Sequence, residues 1–383
     1  MRNFFLFVLF VSVSVVFANE SADITDVLEL YKKNEREQAF DMAHRILDSE
    51  LYLESEKYIL MGFLSDIFVS EKNYADAIDY ADKMIEMKPE LDKGYYLKGL
   101  GSWYLHDYIS AVKALSKAID IAPNKKQYHF IRGYINYDLF KDCYIREKDG
   151  EKNDDYYSAL SLCIDDFCDE VRIDKRNYHS VYMLGLLMGM YMDEKTSDGK
   201  KALQLSISLL NKAIEMNPNF IDSYFVLALI YGSEKNYNIE LAYYNANKYI
   251  ELLENTNSNS TLEKSHEFDS SVYNMYTIRG DYYRENKKYE LALKDYEIAI
   301  SLKQSLGINY FNKIRIYQKM IKTANNSAKK KYEKLIEENE KSIKKNDPSF
   351  DLQKDEKMID EYEKARRSGI PIEYHEFSVG MEN

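Results

Sequence analysis

A period of 34 residues constrains this chain more than any other feature. Phe40, Tyr74 and Tyr108 recur at that spacing, as do Ala43, Ala77 and Ala111, and then Pro89 and Pro123. A unit of this length is one supersecondary element that cannot bury its apolar face alone, so neighbours must stack into a continuous core. The unit Asp92–Lys125 shows what the element is. Ala111, Leu115 and Ala118 fall at i, i+4 and i+7, one face of a helix. Gly99 lets a second helix approach closely, His106-Asp107 is a short polar turn, and Pro123 stops the second helix. The repeat is therefore a helix pair. With only 14 Gly and 5 Pro in 383 residues, a loop-rich or all-β protein is excluded. A hydrophobic share of 45% suffices for a packed core.

Tyr95, Gly99, Tyr108, Ala111, Leu115, Ala118 and Pro123 together resemble the tetratricopeptide repeat. The same register returns at 58–91 with Leu64, Tyr74, Ala77, Ala81, Met84 and Pro89. At 273–306 it returns with Tyr276, Gly280, Tyr283, Tyr289, Ala292, Tyr296 and Ala299, Gln304 replacing the final Pro. From 221 it runs through Tyr224, Leu227, Ala228, Tyr231 and Tyr237, then Ala242 and Ala246 after a small slip. Residues 24–57 form a degenerate first unit. Two units are expanded. One opens with His129, Arg132 and Gly133, and its second helix starts late, near Asp155, after a charged stretch. The next has Gly185 in its first helix and Ala213 and Pro218 closing its second. The resemblance implies an all-α, right-handed superhelical solenoid of antiparallel helix pairs over 19–345, with a possible break at the polar stretch 254–271. Helix 327–345, with Tyr332, Leu335, Ile336 and Ile343 on a narrow apolar stripe, is a solvated cap. A charged helix at about 351–367 and a tail complete residues 346–383.

The N-terminus is set apart. Arg2 precedes an apolar run from Phe4 to Phe17, and Val16-Phe17-Ala18 supplies small residues before Asn19. This is the layout of a secretory signal over residues 1–18, too short to cross a bilayer. The expectation is an exported protein, periplasmic or secreted, with no integral span after cleavage. The net charge of −12 disfavours nucleic-acid partners. Three cysteines, Cys143, Cys163 and Cys168, are an odd count. Cys163 and Cys168 point about 140° apart on a helix and do not pair with each other. All three fit as small buried apolar residues, and a bond from Cys143 to one of the others is open.

Enzyme signatures are missing. There is no phosphate loop ending in Lys-Ser or Lys-Thr, no HExxH and no GxSxG. No two of the six histidines lie three or four residues apart, so no helical metal face forms and each is expected at the surface or as a cap. Adjacent acids such as Asp165-Asp166 are expected to be solvated. The expectation is no enzyme, no cofactor and no metal. The resemblance implies instead a concave groove lined by first helices. Carried over by register, its wall is Tyr96, Leu97, Leu100, Trp103 and Tyr104, then Phe130, Ile131, Tyr134 and Tyr137, then Tyr182, Met183, Leu186 and Met190, then Phe225, Val226 and Leu229. The Lys, Asn and Arg set with which some relatives clamp a carboxylate is absent from these units. The last units turn polar, with Asn274, Asp281, Arg284, Arg315 and Lys319. An apolar wall suits a protein or peptide partner with an apolar or amphipathic segment. The expected function is an interaction scaffold. The competing readings are an inner wall filled by the chain itself, and a self-associating envelope component.

Overall fold

The computed structural model describes residues 22–148, 155–190, 197–233, 236–258, 272–305 and 307–351, together with Lys357. The expected signal segment, most of the polar break and nearly all of the last charged helix and tail lie outside these residues. Among the described residues there are sixteen α-helices and no strand. They are α1 Ala22–Lys32, α2 Arg36–Asp48, α3 Glu54–Ser70, α4 Tyr74–Met87, α5 Asp92–Tyr104, α6 Tyr108–Ile121, α7 Lys126–Lys148 and α8 Asp155–Ile173. Next in the chain come α9 Tyr178–Met190, α10 Ser197–Met216, α11 Ile221–Gly232, α12 Ile239–Ser258, α13 Tyr273–Glu285, α14 Tyr289–Leu302, α15 Gly307–Ile321 and α16 Asn326–Asn346. The chain divides into two compact units between Ser223 and Tyr224. In the first, α1 to α10 pack as successive pairs, each pair stacked on the next. In the second, α13 pairs with α14 and α15 with α16, while Phe225 of α11 meets Tyr249 of α12 with ring centroids 5.4 Å apart.

Local chemistry explains the helix limits. Asp107 and Asn325 cap α6 and α16 by accepting from the backbone of Ser110 and Ala328. Pro89, Pro123, Pro218 and Pro348 each stand two residues beyond the last helical residue of α4, α6, α10 and α16. The turns inside pairs share one geometry. Lys72, His106 and Lys287 adopt φ of 62°, 62° and 58°. The next residue bonds back to close a Schellman turn, as Asn73 N–H does to Phe68 O at 2.8 Å and Asp107 N–H to Ser102 O at 3.0 Å. Glycine usually takes this position, and here lysine and histidine do, at a cost of about 1 kcal/mol each.

The core lies between the layers of each pair and between neighbouring pairs. Ala43, Ala77, Ala81, Ala111 and Ala118 are wholly buried on second helices of the first unit, and Ala242, Ala246, Ala292 and Ala299 on those of the second. Leu60, Leu64, Met84 and Leu97 cluster with Ala43 and Ala81 in the first unit, and Tyr296 and Ile316 with Ala292 in the second, where Phe311, Ile314 and Ile343 form a further cluster. Each such large side chain contributes about 2 kcal/mol by leaving water. One segment differs from expectation. The second helix of the expanded pair starts at Asp155 as expected, but the first half of the charged stretch before it is helical, because α7 runs on to Lys148. No Gly or Pro interrupts residues 134–149, and its polar residues are good helix formers.

Close approach leaves no room for a side chain at Gly101. A Cβ on Gly101 of α5 would stand 2.6 Å from Ile78 Cγ1 on α4, whereas one on Gly232 would meet nothing nearer than Ile278 Cδ1 at 3.4 Å. Gly101→Val is expected to lose about 2–3 kcal/mol in urea unfolding. Gly232→Ala is expected to be neutral or to gain up to about 1 kcal/mol. Equal losses at the two positions would contradict this packing.

Candidate functional site

The residues of the expected groove wall are all on first helices, but most are packed. In the first unit Leu97, Leu100, Ile131, Tyr134, Tyr137, Tyr182 and Met183 are at most 5% exposed, and Trp103, Tyr104 and Leu186 are also buried. The reason is that first helices pack on one another as well as on their partners, α3 touching α5. Leu97 shares one core cluster with Met61, Leu64 and Met84. Tyr134 meets Phe167 of α8 edge-on at 5.3 Å, and Trp103 Nε1 donates to Asp138 at 2.8 Å. The Met190 side chain lies outside the described residues. Half-buried rings remain near the starts of three successive first helices: Tyr96 on α5, Phe130 on α7 and His179 on α9. Tyr96 stacks on Tyr128 at 5.0 Å, Phe130 meets Tyr134 at 4.9 Å, and His179 meets the half-buried Phe220 at 4.9 Å. Burial pushes the His179 imidazole down to about 4, so it is neutral at ordinary pH. The open apolar wall thus narrows to a row of rings. In the second unit Phe225 and Val226 are buried and Leu229 is half-buried.

Charged groups hold the base of that row. Asp92 accepts from Tyr128 Oη and from Lys125 Nζ at 2.5 Å. Burial alone would raise the Asp92 carboxyl, yet these two bonds hold it below the usual carboxylate range. Deeper, α7 and α8 share a network that sequence reasoning missed. Asp166, expected to be solvated, is 1% exposed and takes Arg132 in a bidentate pair at 3.1 and 2.7 Å and Asn136 Nδ2 at 3.0 Å. Its neighbour Asp165 is the solvated member of the pair, since adjacent helical residues point about 100° apart. His129 departs from expectation too. It is 5% exposed, with Nε2 at 2.9 Å from the Pro123 carbonyl and Nδ1 facing Asp166 at 3.7 Å and Asp169 at 3.8 Å. No sequence signal marked the pairing: 34 residues is one repeat period, which would set Arg132 and Asp166 at equivalent places in successive units, whereas the expanded unit puts them on the two helices of one pair. Cys143 and Cys163 are buried on the same two helices and Cys168 is exposed.

The second unit is polar at the matching positions. Asp281 of α13 accepts from Tyr296 Oη at 2.6 Å, from Asn312 Nδ2 at 3.1 Å and from Arg284 at 3.4 Å. Burial raises the Asp281 carboxyl above its ordinary value. Arg284 and Arg315 are buried, Asn274 is half-buried and Lys319 is exposed. Among the described residues no three His, Cys, Asp or Glu side chains converge as a metal site, and no helix is long and apolar enough to cross a membrane.

Two measurements check the buried network. Asp166→Asn leaves Arg132 without its charge partner and is expected to cost about 3 kcal/mol. His129 is raised chiefly by Asp166, with the Pro123 carbonyl and Asp169 acting in the same direction against burial. Its contribution is therefore present in full below the ordinary histidine value of about 6.5 and fades as pH rises through the raised folded value. The stability gap between the native chain and His129→Gln is expected to be larger at about pH 5.5 than at about pH 8. A gap that grows with pH would contradict the assignment.

Residues 273–306 match the tetratricopeptide repeat. No curated protein matches the chain in sequence. Among solved structures, the C-terminal part of a repeat-containing protein from Cytophaga hutchinsonii superposes with a TM-score of 0.52 at 13% identity, covering 76% of this chain and 98% of that one. A tetratricopeptide repeat protein from Parabacteroides merdae gives 0.45 at 13% identity, covering 76% and 96%. MamA from Desulfovibrio magneticus RS-1 gives 0.41 at 16% identity, covering 54% and 98%. Residues 273–306 are thus a tetratricopeptide repeat, set in a stack of helix pairs whose fold is that of tetratricopeptide repeat proteins.

Proposed function

We propose that this chain is an exported interaction scaffold that holds an apolar or amphipathic segment of a protein partner on the first-helix face of its first unit. The observation that carries the reading is the row of half-buried rings, Tyr96, Phe130 and His179, on three successive first helices. Rings fixed by neighbours lose little freedom on binding and offer large contact area, which suits capture of an apolar segment. The expected partner is a protein rather than a nucleic acid, given the acidic chain. The reading is of a binding protein with no catalytic role. Export rests on the layout of residues 1–18, and mature protein beginning at Asn19 in the periplasmic or extracellular fraction would support it.

The test is affinity capture from that fraction with the native chain and with Tyr96→Asp combined with Phe130→Asp. Capture is expected to fall at least tenfold while helicity and melting temperature hold. Unchanged capture by the folded variant would overturn the assignment.

A specific observation favours a second reading, self-association. On second helices of the first unit Ile109, Leu162 and Leu205 are 71%, 44% and 48% exposed. If that face joins copies, sedimentation will show concentration-dependent growth that Ile109→Glu abolishes.

A further inference from the structure

One edge of the first unit presents leucines to water. Leu51 and Leu53, in the connection from α2 to α3, are 93% and 68% exposed, and Leu91, in the connection from α4 to α5, is 37% exposed. Leu53 and Leu91 are the residues just before α3 and α5, two first helices that touch, so they stand at equivalent places on neighbouring pairs. Tyr52 packs against the core, and its two neighbours are left outside. The connection is also held in place. Leu51 N–H donates to Ser49 Oγ at 3.1 Å, and Leu53 N–H to Glu56 Oε2 at 2.8 Å. A tip fixed in this way loses little freedom when something covers it.

Carboxylates rim these leucines. Asp48 and Glu50 precede Leu51, Glu54 follows Leu53, and Glu90 precedes Leu91. All four are exposed, and among the described residues none of them takes part in a hydrogen bond or an ion pair. Other carboxylates of the same helix pairs are spent on lysines, Asp66 on Lys93 and Asp82 on Lys98. A single exposed leucine is ordinary. Three on one edge, each beside an unengaged carboxylate, have the chemistry of a contact surface. The charge says what fits it. Two such edges set against each other would face carboxylate with carboxylate. An anionic lipid surface would repel them. An apolar pocket rimmed by Lys and Arg meets both the leucines and the charges.

We propose that Leu51, Leu53 and Leu91 form a docking edge that inserts into an apolar pocket, rimmed by Lys and Arg, on a partner protein. The edge is independent of the row of rings. The test replaces Leu53 with photoreactive benzoylphenylalanine in the full chain and irradiates cells that produce it. The expected product joins this chain to one other protein, through a peptide of that protein that carries apolar residues with Lys or Arg. Adding Asp48→Lys and Glu50→Lys is expected to lower the yield of that product at least tenfold. Lysine suits the last turn of α2, so helicity and melting temperature are expected to hold. The purified protein so identified is expected to bind the native chain at least tenfold more tightly than a chain with Leu51→Ser and Leu91→Ser, and less tightly as salt rises. Both leucines lie outside the packed core, so that variant folds as the native chain does. A product joined to a second copy, to lipid or to another part of the same chain would overturn the proposal, as would no product at all. So would a joined protein whose binding neither the lysine nor the serine substitutions change.

Discussion

The structure depends on one constraint: no single helix pair of this chain can bury its own apolar faces. Each pair exposes apolar surface on two sides, and only a neighbour of the same shape covers it. The wholly buried alanines of the second helices are the consequence, because they let helices approach closely enough for Leu64, Met84 and Leu97 to fill the space between pairs. The same demand decides what is left for a partner. First-helix residues such as Leu100, Ile131 and Met183 are consumed by stacking. Only side chains that stacking does not take, Tyr96 and Phe130 among them, remain at the surface. Packing and recognition compete for the same helix face, and packing takes its share first.

Charge is handled differently from apolar surface. In each unit an arginine on a first helix is set in bidentate contact with an aspartate on a second helix: Arg132 with Asp166 in one, Arg279 with Asp295 at 2.8 Å through both nitrogens in the other. Replacing such a pair by apolar residues often costs nothing, so its value is not chiefly stability. A uniform apolar stack tolerates slippage of one helix along another. A bidentate pair in a buried position does not, because a shift of one turn strands a charge. In α7 and α8, the longest first helix and its partner, Asn136 and His129 add further groups around the same carboxylate. This pair, built on the longest first helix among the described residues, has much surface over which to slip and is pinned by several groups at one carboxylate.

Much of this was legible in the residues. The 34-residue spacing placed the pairs, proline marked where second helices stop, and Ser327–Lys345 anticipated α16 to within a residue at each end. The turn residues in left-handed geometry were not legible, because Lys72 and His106 carry no glycine signal. Their conformation is imposed by the backbone bonds that close the turn, a tertiary result rather than a local preference. The length of α7 was obscured by composition, since a run of Lys, Asp and Glu suits an exposed helix and a loop alike. The depth of the wall residues was not legible either. Register says that Leu100 and Phe130 both face inward, but only the packing of neighbouring first helices says that Leu100 is 1% exposed while Phe130 is not sealed. Asp166 was misjudged for the same reason: nothing local distinguishes it from Asp165 except which of them meets Arg132.

The two units carry opposite chemistry on equivalent helix positions. In the first these positions hold rings, and the nearby charges are spent inside the array, Lys93 on Asp66 and Lys125 on Asp92. In the second the Arg284 guanidinium meets a carboxylate whose burial works against its charge. On a chain of net charge −12 a local cation is felt within about 8–10 Å at physiological salt and masked beyond it. It cannot steer a distant anion toward a protein that repels it as a whole; it acts on the carboxylate it already touches, as Arg284 does on Asp281.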